Sequence, residues 1–208
     1  TGSGAYRQAA DRGPRAGIWG IFSAIPLDCG RGVCYTESGR RESATWREER
    51  EDPMTTPVTF AICGCGSRGL EAYAPFQELH PERMRIVAGA DSRPERLAML
   101  RERYGLAEDR CFASDEELLA QPRLADAMII ATQDRQHVPA ALAALDKGYH
   151  LLLEKPISPD LDQCRQLVEK ARETGRMVVV CHVLRYTKFY GTLEAMLRRG
   201  EIGKTETI

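Results

Sequence analysis

No stretch of this 208-residue sequence approaches the roughly 20 consecutive apolar residues needed to span a bilayer. A basic start followed by an apolar core and a small-residue cleavage site is missing too, so no secretory signal is read. Charge of one sign is equally scarce. Lys+Arg 29 against Asp+Glu 30 leaves a formal net charge of −1, too little to build a field that recruits nucleic acid or an anionic membrane. The seven cysteines are odd in number and irregular in spacing, which gives no disulfide framework. Cys63 and Cys65 flank Gly64, but no nearby pair supplements them to complete a zinc site, so no metal is expected and both read as small residues in a crowded turn. A cytoplasmic protein with reduced thiols is the simplest reading.

Residues 1–53 lack lysine altogether, yet hold both tryptophans (Trp19 and Trp46) with eight glycines and eight arginines in little periodic order. Pro14, Pro26 and Gly30-Arg31-Gly32 interrupt any regular element, so this segment reads as mostly irregular. Met54-Thr55-Thr56-Pro57 then leads into an apolar run as a bacterial N-terminus would. Upstream of it, Glu48-Glu49-Arg50-Glu51 is compatible with purine-rich codons resembling a ribosome-binding site. The expectation is that residues 1–53 are translated upstream sequence or an added extension. The alternative is an accessory segment in which Cys29 and Cys34 form a metal or disulfide pair.

From Val58 onward the pattern becomes orderly. Val58-Thr59-Phe60-Ala61-Ile62-Cys63 reads as a buried strand, followed directly by Gly64-Cys65-Gly66-Ser67-Arg68-Gly69. A second apolar run, Met84 to Ala90, ends at Asp91, 22 residues beyond Gly69. A glycine loop alone says little, but a strand before it and an acid at this distance after it make a candidate dinucleotide site. Gly64 allows the tight turn, Gly66 lets backbone approach a pyrophosphate, and Gly69 lets the helix pack close to the strand. Free N–H groups at the helix start, around Ser67 and Arg68, would hold the negative charge. Asp91 would accept hydrogen bonds from the adenosine ribose. Its charge argues for NAD by repelling a 2′-phosphate, while Arg93, after Ser92, could pair with such a phosphate in NADP. A glycine-rich turn in some other α/β protein is the plain alternative.

Further along, a helix is expected from Ser67 towards His80, kinked or divided at Pro75. Helices are also expected over Pro94–Tyr104, over a short segment after the capping box Ser114-Asp115-Glu116-Glu117, and over 138–147. A long helix capped by Ser158-Pro159 should end at Gly175, and another should run from Lys188 to Arg199. Strands alternate with these at Cys111-Phe112, Ala127–Ala131, Tyr149–Leu153 and Met177–Val183. Such βαβ alternation demands a doubly wound, mostly parallel sheet with helices on both faces, a Rossmann-type α/β fold. Gly64, Asp91, Thr132 and Lys155 all fall at carboxyl ends of strands, where these sheets bind ligands. Thr205-Glu206-Thr207-Ile208 reads as a strand without a partner in the sequence. The organisation expected is therefore an extension over 1–53, a dinucleotide-binding domain over 54–184, and over 185–208 the start of a truncated α+β second domain.

These motifs, in order, resemble the Gfo/Idh/MocA oxidoreductase family. The resemblance rests on the glycine loop 64–69, Asp91, Ala131-Thr132-Gln133-Asp134 with His137, Glu154-Lys155-Pro156 after a strand, and Arg185-Tyr186. It covers Met54 to Ile208, about three quarters of the chain, and Glu-Lys-Pro is its most discriminating part. It implies an NAD(P)-dependent enzyme acting on a sugar, inositol or related polyol, a homo-oligomer in its full-length form. Lys155 would be the catalytic residue, because hydride transfer from a carbinol needs its hydroxyl proton removed or its oxygen stabilised. Histidine and aspartate partners would lie beyond Ile208. A solvated strand-end lysine ion-paired to Glu154 is the structural alternative. Thr132 and His137 would border the nicotinamide ribose, with His137 equally able to hold the following helix in place. Glu154 and Pro156 complete the cofactor set. Arg185 and Tyr186 would be substrate-side or hinge residues, or else a structural salt bridge with core packing. His182, on a strand expected to be buried, reads as a core histidine. Two other functions stay open: an NAD-dependent glycosidase of related fold with no net redox, and a non-catalytic dinucleotide-binding module.

Overall fold

A computed structural model describes residues 56–204 and residue 206. The segment 1–53, expected to be irregular, and most of the expected strand at 205–208 lie outside the described residues. Packing divides the chain after Cys181, and the segment from His182 belongs to a separate compact unit.

The larger unit is built on six parallel strands: β1 (Val58–Cys63), β2 (Met84–Ala90), β3 (Cys111–Phe112), β4 (Ala127–Ile130), β5 (His150–Leu153) and β6 (Val178–Val180). Their order is β3-β2-β1-β4-β5-β6. The chain therefore winds outward from β1 in one direction, returns, and winds outward from β4 in the other. The reversal leaves a crevice between β1 and β4 at the carboxyl edge, the place where doubly wound sheets take ligands.

The register explains the apolar runs. Ala61 lies level with Ala88 and Met128, and Met128 with Leu151; Cys63 lies level with Ala90 and Ile130, and Ile130 with Leu153. Side chains alternate across a strand, so these two rows share one face. They pack there against Leu118, Ala140, Ala141, Ala144, Leu145, Leu167 and Ala171. The intervening positions, Phe60, Ile62, Ile86 and Ile129, are buried as well. With both faces covered, strands read as continuous apolar runs rather than alternating ones. Burying each Leu or Ile contributes about 1.5–3 kcal/mol.

The helices are α1 (Ser67–Tyr73), α2 (Phe76–Leu79), α3 (Pro94–Tyr104), α4 (Asp115–Ala120), α5 (His137–Asp146), α6 (Leu161–Thr174) and, in the second unit, α7 (Lys188–Arg198). The helix expected over 67–80 is divided at Pro75, which cannot donate to the ladder. Its first half is wound wide, with Ala74 N–H donating to Gly69 O across five residues at 2.9 Å. Ser114 caps α4 by accepting from Glu117 N–H at 3.2 Å, as its capping box implied.

Two expectations need correction. Asp160, rather than Ser158-Pro159, caps α6: its Oδ1 accepts from Asp162 N–H at 2.8 Å and Gln163 N–H at 3.4 Å. The carboxylate stands two and three residues ahead of those N–H groups, while the Ser158 hydroxyl, two residues earlier, accepts from Asp160 N–H at 3.0 Å instead. Strand β6 ends at Val180, short of the Val183 expected, and the chain turns helically over Val183–Tyr186. His182 consequently lies off the strand and is exposed, so it is not a core histidine.

Candidate functional site

The strand ends are held level by hydrogen bonds that continue the ladders. Gly64 N–H donates to Ala90 O at 2.9 Å, Ala131 N–H to Cys63 O at 2.8 Å, and Glu154 N–H to Ile130 O at 2.9 Å. Residues 64, 91, 131–132 and 154–155 are thereby presented on one edge, as their sequence positions imply.

The glycine loop is shaped by close approach. Gly64 has φ +89°, and a Cβ there would lie 2.6 Å from Ala131 C and 2.8 Å from Thr132 N. A Cβ on Gly69 would collide with Gly64 O and come within 3.1 Å of Ile62 Cγ2. α1 can therefore lie this close to β1 only because residue 69 is glycine. No side chain caps α1, whose start at Gly66, Ser67 and Arg68 faces solvent in part. Its first N–H groups are left for a ligand anion.

Asp91 is buried and does more than await a ribose. Its Oδ2 accepts from Cys65 N–H at 2.7 Å and its Oδ1 from Arg93 N–H at 2.9 Å, tying the loop to the start of α3. Arg96 Nη1 lies 3.3 Å from the same Oδ2. Ser92 and Arg93 are exposed beside it. Arg96 was not singled out from the sequence. The available signal was its place in the first turn of α3, five residues beyond Asp91, where its side chain comes back to the loop.

Thr132 and His137 sit across the crevice from the glycine loop. Among the described residues, Thr132 Oγ1 is the one buried side-chain oxygen or nitrogen without a hydrogen-bond partner. An orphaned hydroxyl beside the loop fits a ligand that supplies the missing bond. His137 is buried, with Nδ1 2.7 Å from Pro156 O and Nε2 3.2 Å from Thr132 O. The ring bridges the carbonyls of two strand-end loops from the start of α5.

Glu154, Lys155 and Pro156 are separated in role. Glu154 is buried, and its Oε1 accepts from the Tyr73 hydroxyl in a short bond. Arg68 Nε lies 3.5 Å from that oxygen, and Glu154 Oε2 accepts from Lys155 N–H at 2.9 Å. The carboxylate thus holds the Lys155 backbone and not its ammonium. Lys155 is exposed, and its Nζ has no hydrogen-bond or ion-pair partner among the described residues. The Lys155–Pro156 bond is cis. Tyr73, also missed from sequence, is the buried last residue of α1 and reaches Glu154 from there. Burial, reinforced by Cys181 and Glu154, pushes its hydroxyl well above the usual phenol range and keeps it a donor. Arg185 and Tyr186 belong to the other unit, on the turn Val183–Tyr186, where Arg185 is exposed.

The cysteines near the site behave as packing residues. Burial pushes the thiols of Cys65 and Cys181 up to about 12 and that of Cys63 higher still. At pH 8 they should resist iodoacetamide in the folded protein and react only on unfolding, while the half-buried Cys164 is labelled early. Residue-resolved mass spectrometry reads this, and equal labelling rates would refute it. The sign for stability follows. A raised folded-state pKa contributes stability that is complete below the unfolded thiol value of about 8.5 and is lost as pH climbs towards 12. The urea midpoint should therefore fall from about pH 9 upward.

A parallel sheet reversed at its centre, with a glycine cradle and an acid on adjacent strand ends, defines an α/β dinucleotide-binding domain. The chain belongs to the Gfo/Idh/MocA family: residues 58–182 match the model described as an oxidoreductase family with an NAD-binding Rossmann fold. The cofactor is accordingly NAD, and the cradle and the orphaned Thr132 hydroxyl fit it. An uncharacterized oxidoreductase of Rhizobium meliloti, ORF334, is 28% identical over 151 residues, covering 73% of this chain and 44% of its own length. Inositol 2-dehydrogenase 4 of Saccharopolyspora erythraea is 36% identical over 80 residues, covering 38% of this chain and 24% of its own. The WlbA dehydrogenase of Bordetella pertussis, solved in complex with NADH and UDP-GlcNAcA, superposes with a TM-score of 0.63 at 25% identity, covering 71% of this chain and 44% of its own. The chain spans less than half the length of each of these relatives.

Proposed function

We propose that this chain is the cofactor-binding half of an NAD-dependent oxidoreductase that moves a hydride between the nicotinamide and a CH–OH carbon of a sugar, inositol or related polyol. The observation that carries the reading is the division of labour at 154–155: a buried, fully bonded carboxylate fixes the backbone from which an unpartnered lysine projects. When bound, the nicotinamide supplies the hydride acceptor or donor. The rest is the work of the chain. Gly64, Gly66 and Gly69 admit the pyrophosphate, and Ser67 and Arg68 flank it at the start of α1. Asp91 with Ser92 and Arg93 faces the adenosine ribose, and Thr132 offers its hydroxyl across the crevice. Lys155 Nζ holds the substrate oxygen and takes or returns its proton. Glu154, Tyr73 and His137 keep Lys155 and Pro156 in position. The substrate class is supported by the relatives above, which include an inositol dehydrogenase and a dehydrogenase solved with a nucleotide sugar.

The test is absorbance at the reduced-nicotinamide band, using the complete protein with NAD and a panel of inositols, hexoses and nucleotide sugars. Substrate-dependent appearance of reduced cofactor is the expected outcome. Cleavage of a glycoside without accumulation of reduced cofactor would replace this reading with a glycosidase that oxidises its sugar only transiently. Dinucleotide binding with no turnover on any member of the panel would favour a binding module.

A further inference from the structure

The amino edge of the sheet, where β4, β5 and β6 begin, gathers cations that the cofactor site does not use. His150 N–H donates to Asp126 O at 3.1 Å and Leu151 N–H to Met177 O at 2.8 Å, which holds the segments entering the three strands level. Arg123 precedes β4, Lys147 and Gly148 precede β5, and Arg176 precedes β6.

Gly148 marks the point where they converge. Its φ is +83°, and the position a Cβ would take lies 3.5 Å from Arg176 Nη2, 3.6 Å from Arg123 Nη1 and 3.7 Å from Arg176 Nε. Apart from the glycine and its chain neighbours, these guanidinium nitrogens are the heavy atoms nearest to that point. Arg123 Nη1 donates to Gly148 O at 3.0 Å, while the Arg176 side chain has no hydrogen-bond or ion-pair partner among the described residues. Asp126 does not pair with either: its Oδ2 accepts from Thr59 N–H at 2.9 Å and from the Thr59 hydroxyl at 2.6 Å. Lys147 Nζ donates to Gln121 O at 2.7 Å. The carboxyl ends of α5 and α6 supply about half a negative charge each, so with Asp126 they leave roughly one of the three cations unmatched.

His150 stands in the same field. Its Nδ1 accepts from Met177 N–H at 3.0 Å, which leaves the proton of the neutral ring on Nε2 as a further donor. Burial pulls the imidazole below its usual range, and Arg176 and Arg123 pull it the same way against Asp126. Both guanidiniums therefore act on one small region that holds no anion of its own to pair with them.

We propose that Arg123 and Arg176 clasp a phosphate group beside Gly148, supplied by inorganic phosphate or by a small phosphomonoester. Two guanidiniums that share one neighbouring point are close enough for a single tetrahedral oxyanion to accept charge-assisted bonds from both. Arg176 brings its whole set of donors, and Arg123 keeps one nitrogen on Gly148 O while the others turn to the ligand. Glycine at 148 leaves the space between them open.

A ¹H–¹⁵N NMR titration of the full chain with inorganic phosphate and with glycerol 3-phosphate, against sodium chloride at matched ionic strength, tests this. Both phosphate probes should saturably shift the Gly148 and His150 amides and the Arg123 and Arg176 Nε–H signals. Arg176→Gln should weaken that binding at least about tenfold, as loss of a charge-assisted contact requires, and Arg176→Lys should recover part of it. In phosphate-free buffer Arg176→Gln should melt no lower than wild type, so the comparison is between folded proteins. Tighter binding of glycerol 3-phosphate makes a phosphomonoester the ligand, and equal or tighter binding of inorganic phosphate makes it the free ion. Shifts confined to residues 64–69, shifts reproduced by chloride, or an unchanged affinity in folded Arg176→Gln protein would each overturn the site. None of these results bears on dinucleotide binding at the carboxyl edge, so the two readings stand or fall separately.

Discussion

Replacing Lys155 with methionine in the complete protein is expected to lower turnover by roughly 10²–10⁴-fold, the range typical of losing a general acid–base group. Methionine keeps the unbranched stem and removes the donor. Lys155→Arg should be nearly as damaging, because a guanidinium retains the charge but does not give up its proton near neutrality. The pair of variants therefore separates proton transfer from charge stabilisation. Neither should cost more than about 0.5 kcal/mol of stability, since Lys155 is exposed and has no partner to lose among the described residues. Steady-state kinetics and a urea melt on the same preparations check both statements. Turnover of Lys155→Met within tenfold of wild type would remove Lys155 from the chemistry.

Gly64→Ala is expected to destabilise the domain by about 2–5 kcal/mol, a large share of the 5–15 kcal/mol that holds a typical domain folded. Two costs combine. At φ +89° a Cβ is strained whatever the space around it, at roughly 1–2 kcal/mol. The added carbon would also sit 2.6 Å from Ala131 C and 2.8 Å from Thr132 N, and main chain yields less readily than a side chain. Overpacking of this kind adds about 1–3 kcal/mol. Gly105→Ala is the matched control: φ is +65°, but nothing lies within 4 Å, so only the first cost applies. Equilibrium urea unfolding of both variants gives the comparison. A Gly64→Ala loss no greater than that of Gly105→Ala would show that the crevice between β1 and β4 is not closed by the backbone contact described here.

Much of the framework was readable because parallel sheets covered on both faces need continuous apolar strands. Val58–Cys63, Met84–Ala90 and Ala127–Ile130 could hardly be anything else once they alternated with helical stretches. Punctuation was equally legible: Pro75 divides one helix, Gly105 and Gly175 end two others with left-handed backbone, and Ser114 caps a fourth. Legibility failed where two local signals competed. Ser158-Pro159 reads as the start of α6, but the cap fell to Asp160, whose carboxylate reaches the N–H groups of Asp162 and Gln163. At 181–183 the apolar run continued while the strand did not, which misplaced His182.

Sequence order alone determined that a glycine loop, an acid, a threonine and a lysine stand at the carboxyl ends of strands β1, β2, β4 and β5, because the period and punctuation of the chain dictate where strands stop. It also determined the family. Tertiary structure alone decided what those residues are bonded to. Glu154 turns to Tyr73, Arg68 and the backbone of Lys155, leaving the lysine's charge unpaired; Asp91 turns to the loop and to Arg96. Apart from the Lys155 N–H next in the chain, those partners lie between 5 and 86 residues away in sequence. No local pattern encodes such pairings. They arise when burial strips water from a carboxylate and the fold offers it whichever donors come within reach.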